Sequence, residues 1–130
     1  MNISIIIVNY NVKEFIIQCI DSIYLHAKSK VTFEIIIIDN GSKDGSAKII
    51  TNHFKEIKLI KNKDNVGFTK AINQGAKIAS GKYLFFLNPD TLFVEDSIEK
   101  LFNLAEKVKD MGVIGPTLIS KDNARQKSAW

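Results

Sequence analysis

Apolar residues in this chain form two kinds of segment that alternate along its length. Three short runs, Ile3–Val8, Ile35–Ile38 and Tyr83–Leu87, are nearly continuous and rich in β-branched or aromatic side chains. Such runs fit strands covered on both faces, as in a parallel sheet, better than strands with one wet face. Ile57–Ile60 and Val113-Ile114-Gly115 are two shorter strand candidates. Between the runs the period changes. Val12, Phe15, Ile16, Cys19, Ile20, Ile23 and Tyr24 recur at helical spacing. Asn11 is placed to cap this helix, and Glu14 to complete a capping box. A second helix is predicted from Ser46 to about Phe54. A third carries Phe68, Ala71, Ile72, Ala76 and Ala79, with Gly81 placed to stop it. A fourth begins near Glu95 and carries Ile98, Leu101, Phe102, Ala105 and Val108. Glu95 and Asp96 suit its N-terminus, Lys107 and Lys109 its C-terminus, and Gly112 ends it.

The predicted order is β-α-β-α-β-α-β-α-β. Crossovers of this length give parallel strands with helices on both faces of one sheet. The chain has 130 residues and is 45% apolar, which fits one packed α/β domain. Beyond Pro116 it turns polar, and residues 117–130 read as a turn and a tail.

Charge narrows the partners. Eighteen basic and 14 acidic residues leave a net charge of +4, with lysines scattered from Lys13 to Lys127. That is a solvated surface rather than a nucleic-acid patch. The lone cysteine, Cys19, sits in the first helical stripe and reads as core. His26 and His53 fall near predicted helix ends and suit the helix dipole there. Phe85 and Phe86 read as core. The N-terminal residues read as a strand, and every apolar run is too short to span a membrane. A cytoplasmic protein is expected, with membrane association only through partners.

In open α/β sheets ligands bind beyond the carboxyl ends of the strands. Those ends are followed by Asn9-Tyr10-Asn11, Asp39-Asn40-Gly41-Ser42, Asn62-Lys63-Asp64-Asn65-Val66-Gly67 and Asn88-Pro89-Asp90-Thr91. Asn, Asp and Gly serve turns and caps anyway, so each cluster alone has a structural explanation. Four such clusters on one edge point to a site. No P-loop and no dinucleotide fingerprint is present. A bound phosphate therefore needs another counter-charge, and a cation held by Asp90 can supply it. Pro89 biases Asn88 to an extended conformation, which carries the strand outward before Asp90.

The ordered series Val8-Asn9-Tyr10-Asn11, Ile38-Asp39-Asn40-Gly41-Ser42, Asp44-Gly45-Ser46, Asn65-Val66-Gly67-Phe68, Asn73-Gln74-Gly75 and Leu87-Asn88-Pro89-Asp90 resembles the family 2 glycosyltransferases. Within them it is similar to the rhamnosyltransferase-like branch. The resemblance runs from about Ile3 to Gln126. It implies a three-layer, Rossmann-like, mostly parallel α/β fold, the nucleotide-sugar-binding half of the GT-A architecture. It places Asn9, Tyr10, Asn11 and Asp39 at the base of a UDP- or dTDP-linked sugar donor. It places Asn65 and Gly67 near ribose and diphosphate, and Asn88 and Asp90 at the DxD motif. Asp90 is the implied ligand of Mg²⁺ or Mn²⁺, and a saccharide or lipid-linked molecule the implied acceptor.

Two departures accompany the resemblance. Asn88 replaces the first acid of DxD, and Ile72 stands where many members carry Arg, which the rhamnosyltransferase-like branch commonly lacks too. The family's general base lies in an acceptor-binding half. Neither Asp110 nor Asp122 matches it, so no catalytic base is expected up to Trp130. Residues 1–130 are thus expected to be a donor-binding domain, truncated before that half. Leu118, Ile119 and Trp130 are expected to be partly uncovered, which favours self-association. A non-catalytic nucleotide-binding or interaction module on the same scaffold is the alternative. A receiver-like signalling domain fits the size but not Asn9-Tyr10-Asn11 after the first strand, where that class needs clustered acids.

Overall fold

A computed structural model describes residues 1–28, 30–110, 112–120, 122 and 124–126. Strands β1 (Ile3–Asn9), β2 (Phe33–Asp39), β3 (Lys58–Lys61) and β4 (Tyr83–Leu87) alternate with helices α1 (Lys13–His26), α2 (Ser46–His53), α3 (Phe68–Ile78) and α4 (Ser97–Lys107). The strands form one parallel sheet in the order β3-β2-β1-β4. The first two crossovers step one way from β1. The third steps back past β1 to β4, so a right-handed connection must put α3 on the opposite face.

The side chains follow. Ile3, Ile5 and Ile7 of β1 and Ile35 and Ile37 of β2 pack with α1, α2 and α4 through Ile16, Cys19, Ile20, Ile23, Ile50 and Ile98. Ile6, Ile36 and Ile38 pack on the other face against Ala71 of α3, with Ile72, Ala76 and Ala79 beside it. Two covered faces explain why β1 and β2 are isoleucine runs with no alternation. The small residues of α3 bring it close to the sheet. A Cβ on Gly75 would lie 2.7 Å from Ile6 Cγ2 and 2.8 Å from Ile38 Cδ1.

Five expectations change, one of them at α4, which ends at Lys107 with Val108 as its cap, well before Gly112. Asn11 does not cap α1. The N-cap is Val12, with no side-chain cap bond, and Asp44 Oδ2 from the next loop accepts from Lys13 N at 2.8 Å. Gly81 does not stop α3, which ends at Ile78 with Ala79 as its cap. Val113-Ile114-Gly115 forms no strand, and Val113 is 93% exposed. The fifth concerns β4, whose two faces differ. Phe85 meets Phe93 edge-on at 6.1 Å, whereas Leu84 and Phe86 are 43% and 51% exposed. They lie on the α3 face, and α3 sits over β1 and β2 instead.

Past α4 the described residues hold one isolated antiparallel bridge, Ile119 to Arg125, around a turn. Leu118 and Ile119 are exposed, as expected; Trp130 lies outside the described residues. No helix among the described residues is long and apolar enough to cross a membrane.

Candidate functional site

The strand order reverses between β1 and β4, so the loops leaving their carboxyl ends diverge and open a crevice. Asn9-Tyr10-Asn11 forms one lip and Asn88-Pro89-Asp90 the other. β2 delivers Asp39 beside Asn9, in parallel register with it.

Asn9 is fully buried. Its Nδ2 faces Asp39 Oδ1 at 2.7 Å, Ser46 Oγ at 2.8 Å and Ser42 Oγ at 3.1 Å. Ser46 Oγ donates to Asp44 Oδ1 at 2.6 Å, so toward Asn9 it can only accept. That fixes the amide with its nitrogen toward Asp39, and Oδ1 is a buried acceptor without a partner among the described residues. Asp39 Oδ2 accepts from Ser42 N at 3.1 Å. Asp39 is 3% exposed, so its first task is to hold this loop. Asn11 lies in the left-handed region at φ 52°, and its Oδ1 accepts from Lys43 N at 2.8 Å. Asp44 ties the loop to two helix starts, accepting from Lys13 N and from Ser46 N. Burial would raise its pKa, but the bonds from Ser46 and Lys13 outweigh it and hold the carboxyl below its ordinary range. Tyr10 is 47% exposed beside this rigid base.

On the second lip, Thr91 N donates to Asn88 O at 3.2 Å, turning the chain just after β4. Asn88 and Asp90 are exposed. Cys19 lies beneath this turn, its Sγ 3.9 Å from Asn88 O. Burial first, then the Asp90 carboxylate, push the Cys19 thiol up to about 12. Cys19 is therefore a protonated core residue, not a nucleophile. Among the described residues no hydrogen bond or ion pair engages the Asp90 carboxylate, and no three His, Cys, Asp or Glu side chains converge as a metal cage. A hard cation here fits one carboxylate completed by phosphate oxygens and water.

A third group joins Asn65 and Gly67, expected near the donor, to Asn40, Asn62 and Gln74, whose pairing the sequence does not reveal. Asn62 at the end of β3 exchanges two bonds with Gln74 of α3, at 2.9 and 3.0 Å. Asn62 Nδ2 also donates to Asn40 Oδ1 at 2.9 Å, and Asn40 Nδ2 to Asn65 Oδ1 at 3.1 Å. Asn65 Oδ1 in turn accepts from Gly67 N at 2.9 Å. Asn40, Asn62 and Asn65 stand in the strand-end clusters and Gln74 in the Asn73-Gln74-Gly75 motif, but which amide meets which depends on strand register. A separate hollow of about 320 Å³ beside β3, between Phe54, Ile57 and Lys61, contains none of these groups.

The strand-end groups are thus gathered at one edge, with Asn9 and Asp39 across the switch point from Asp90. Comparison with known proteins identifies the fold and the family. An uncharacterised glycosyltransferase of Haemophilus influenzae is 33% identical over 119 residues, covering 89% of this chain and 36% of that protein. The chain spans as little as 16% of other curated relatives. Among solved structures, TarS 1-349 of S. aureus in complex with UDP-GlcNAc shares the fold at TM-score 0.74 and 21% identity, over 88% of this chain and 37% of that one. Mannosyltransferase PcManGT of Pyrobaculum calidifontis, in complex with GDP-Man and Mn²⁺, does so at TM-score 0.70 and 21% identity, over 84% and 32%. Residues 4–129 match the model of glycosyl transferase family 2, and the chain belongs to that family.

Proposed function

We propose that this chain is the donor-binding part of an inverting, metal-dependent glycosyltransferase that holds a UDP- or dTDP-linked sugar for a saccharide or lipid-linked acceptor. The observation that carries the reading is the pairing of a rigid Asn9–Asp39 lip with an exposed carboxylate, Asp90, across the β1/β4 switch point. The UDP-GlcNAc and the GDP-Man with Mn²⁺ held by proteins of this fold support a nucleotide sugar and a divalent cation here.

Tyr10 packs on the face of the base. Asp39 accepts a ring N–H through lone pairs left over from its two internal bonds, since a carboxylate has about four acceptor sites. Asn11 borders the base; Asn65 and Gly67 lie toward ribose and diphosphate. Asp90 would hold Mg²⁺ or Mn²⁺, with Asn88 offering a neutral oxygen beside it. The cation, when bound, offsets charge on the departing nucleoside diphosphate. No general base is assigned in this chain. Asp122 is tied into its turn by Ser120 Oγ at 2.5 Å and Ala124 N at 3.3 Å. The place in the rhamnosyltransferase-like branch rests on the motif series and on Ile72 in the arginine position.

Calorimetric titration with UDP and dTDP, with and without Mn²⁺, tests the reading. One nucleotide should bind in the micromolar to millimolar range and tighten at least about tenfold with Mn²⁺. Asp90→Ala should abolish that tightening. Absence of binding at millimolar nucleotide with metal sinks the donor site, and undiminished Mn²⁺ dependence in the variant moves the metal elsewhere.

A further inference from the structure

The four amides Gln74, Asn62, Asn40 and Asn65 form a directed chain. Gln74 Nε2 donates to Asn62 Oδ1, and Asn62 Nδ2 donates back to Gln74 Oε1 and onward to Asn40 Oδ1. Asn40 Nδ2 then donates to Asn65 Oδ1 and reaches Gly67 O at 3.4 Å. Each amide is oriented by the one before it, because a flipped Asn62 would set oxygen against oxygen and nitrogen against nitrogen at Gln74. The chain begins inside α3 and ends on the loop that opens α3, so the loop is held at both its ends. Asn40 is 2% exposed, and Asn62 and Gln74 are half-buried, so water competes weakly for these bonds. Asn65 and Gly67 themselves are exposed, free to meet a ligand.

We propose that Asn62 and Gln74 are positioning residues: their amide pair, acting through Asn40, locks the β3–α3 loop in the conformation that presents Asn65 and Gly67 to the donor. This rests on the donor-site reading above. All four groups are neutral, so the clamp adds no negative charge where a diphosphate must approach and does not titrate near neutral pH.

Gln74→Met keeps the length and removes both bonds. Gln74→Glu keeps length and polarity but, ionised, cannot donate to Asn62 Oδ1. Backbone amide exchange followed by NMR, together with UDP titration in Mn²⁺, reads the result. The Gly67 amide should exchange about tenfold faster in both variants relative to Ile6 and Ile7 in the core, and UDP affinity should fall by a similar factor. Equal acceleration at Gly67 and in the core, or none at Gly67, overturns the clamp. Faster Gly67 exchange with unchanged UDP affinity overturns its role in donor binding. A native chain that binds no UDP overturns the donor reading and that role together, while Gly67 exchange still judges the clamp.

Discussion

Replacing Glu34 with alanine should lower the thermal midpoint by about 10 °C, from a loss of about 3 kcal/mol in a chain of this size. Glu34 is 9% exposed on β2, where the hydrophobic pattern has no place for an acid. Its Oε1 accepts from Ser4 Oγ at 2.6 Å and from Ser80 N and Oγ, both at 2.7 Å. Its Oε2 pairs with Lys58 at 2.6 Å. One carboxylate thus joins β1, β2, β3 and the turn after α3 at the edge opposite the ligand crevice. Alanine leaves the buried Ser4 hydroxyl without its acceptor, and an unmet buried donor costs more than its bond contributes, while the exposed Ser80 and Lys58 lose the partner that ties them to β2. Burial would raise the carboxyl's pKa, but Lys58, Ser4 and Ser80 outweigh it and bring it to about 2 from 4.5. A depressed pKa stabilises the fold fully above the unfolded value and ceases to do so as pH falls through the folded one. Glu34 should therefore contribute about 2–3 kcal/mol at neutral pH that disappears between roughly pH 4.5 and 2. Urea unfolding of Glu34→Gln should show a smaller acid-induced loss than the native chain over that interval. Identical pH profiles would remove Glu34 from the account, as would a Glu34→Ala midpoint within 2 °C of native, roughly the error of such a comparison.

Gly81→Ala should be comparably severe, by about 2–4 kcal/mol. The added Cβ would stand 2.4 Å from Ser4 N and 2.5 Å from Ile3 C, both backbone atoms of the central strand. No rotamer change can relieve that contact. Gly81 N also donates to Ser4 Oγ at 2.8 Å, so moving the turn would disturb the Glu34 cluster as well. Gly112→Ala is the control, since nothing lies within 4 Å of its Cβ position. Melting curves should separate the two variants by about 10 °C, and similar midpoints would refute the packing role.

These residues also mark how far the sequence could be read. The apolar runs located β1 and β4 to within a residue, and their continuity foretold parallel strands. β2 proved longer than its Ile35–Ile38 run, because Phe33 and the buried Glu34 precede it and a paired acid looks like a surface residue in sequence. Local rules tie Gly81 to the helix before it, whereas its constraint comes from β1. The same rules make Asn11 the cap of α1, whereas Asp44 does the capping from another loop. Local rules fail where the deciding partner is far along the chain. The same holds at the site. Asn9, Asp39 and Asp90 were legible as polar ends of apolar strands. The Asn62–Gln74 pair was not, since its partners meet only once the register is set.

The position of β1 has a kinetic consequence. Ile3 pairs with Phe33 on one side and Tyr83 on the other. The central strand can thus make no sheet hydrogen bond until a whole helical crossover has been closed, and it cannot be flanked on both sides until most of the chain has collapsed. Parallel pairings of this kind pay loop-closure entropy before any contact repays it. During that interval the isoleucines of β1 stand exposed in a chain still searching for its register, so folding of this small domain is slow for its length and most exposed to aggregation before β4 docks.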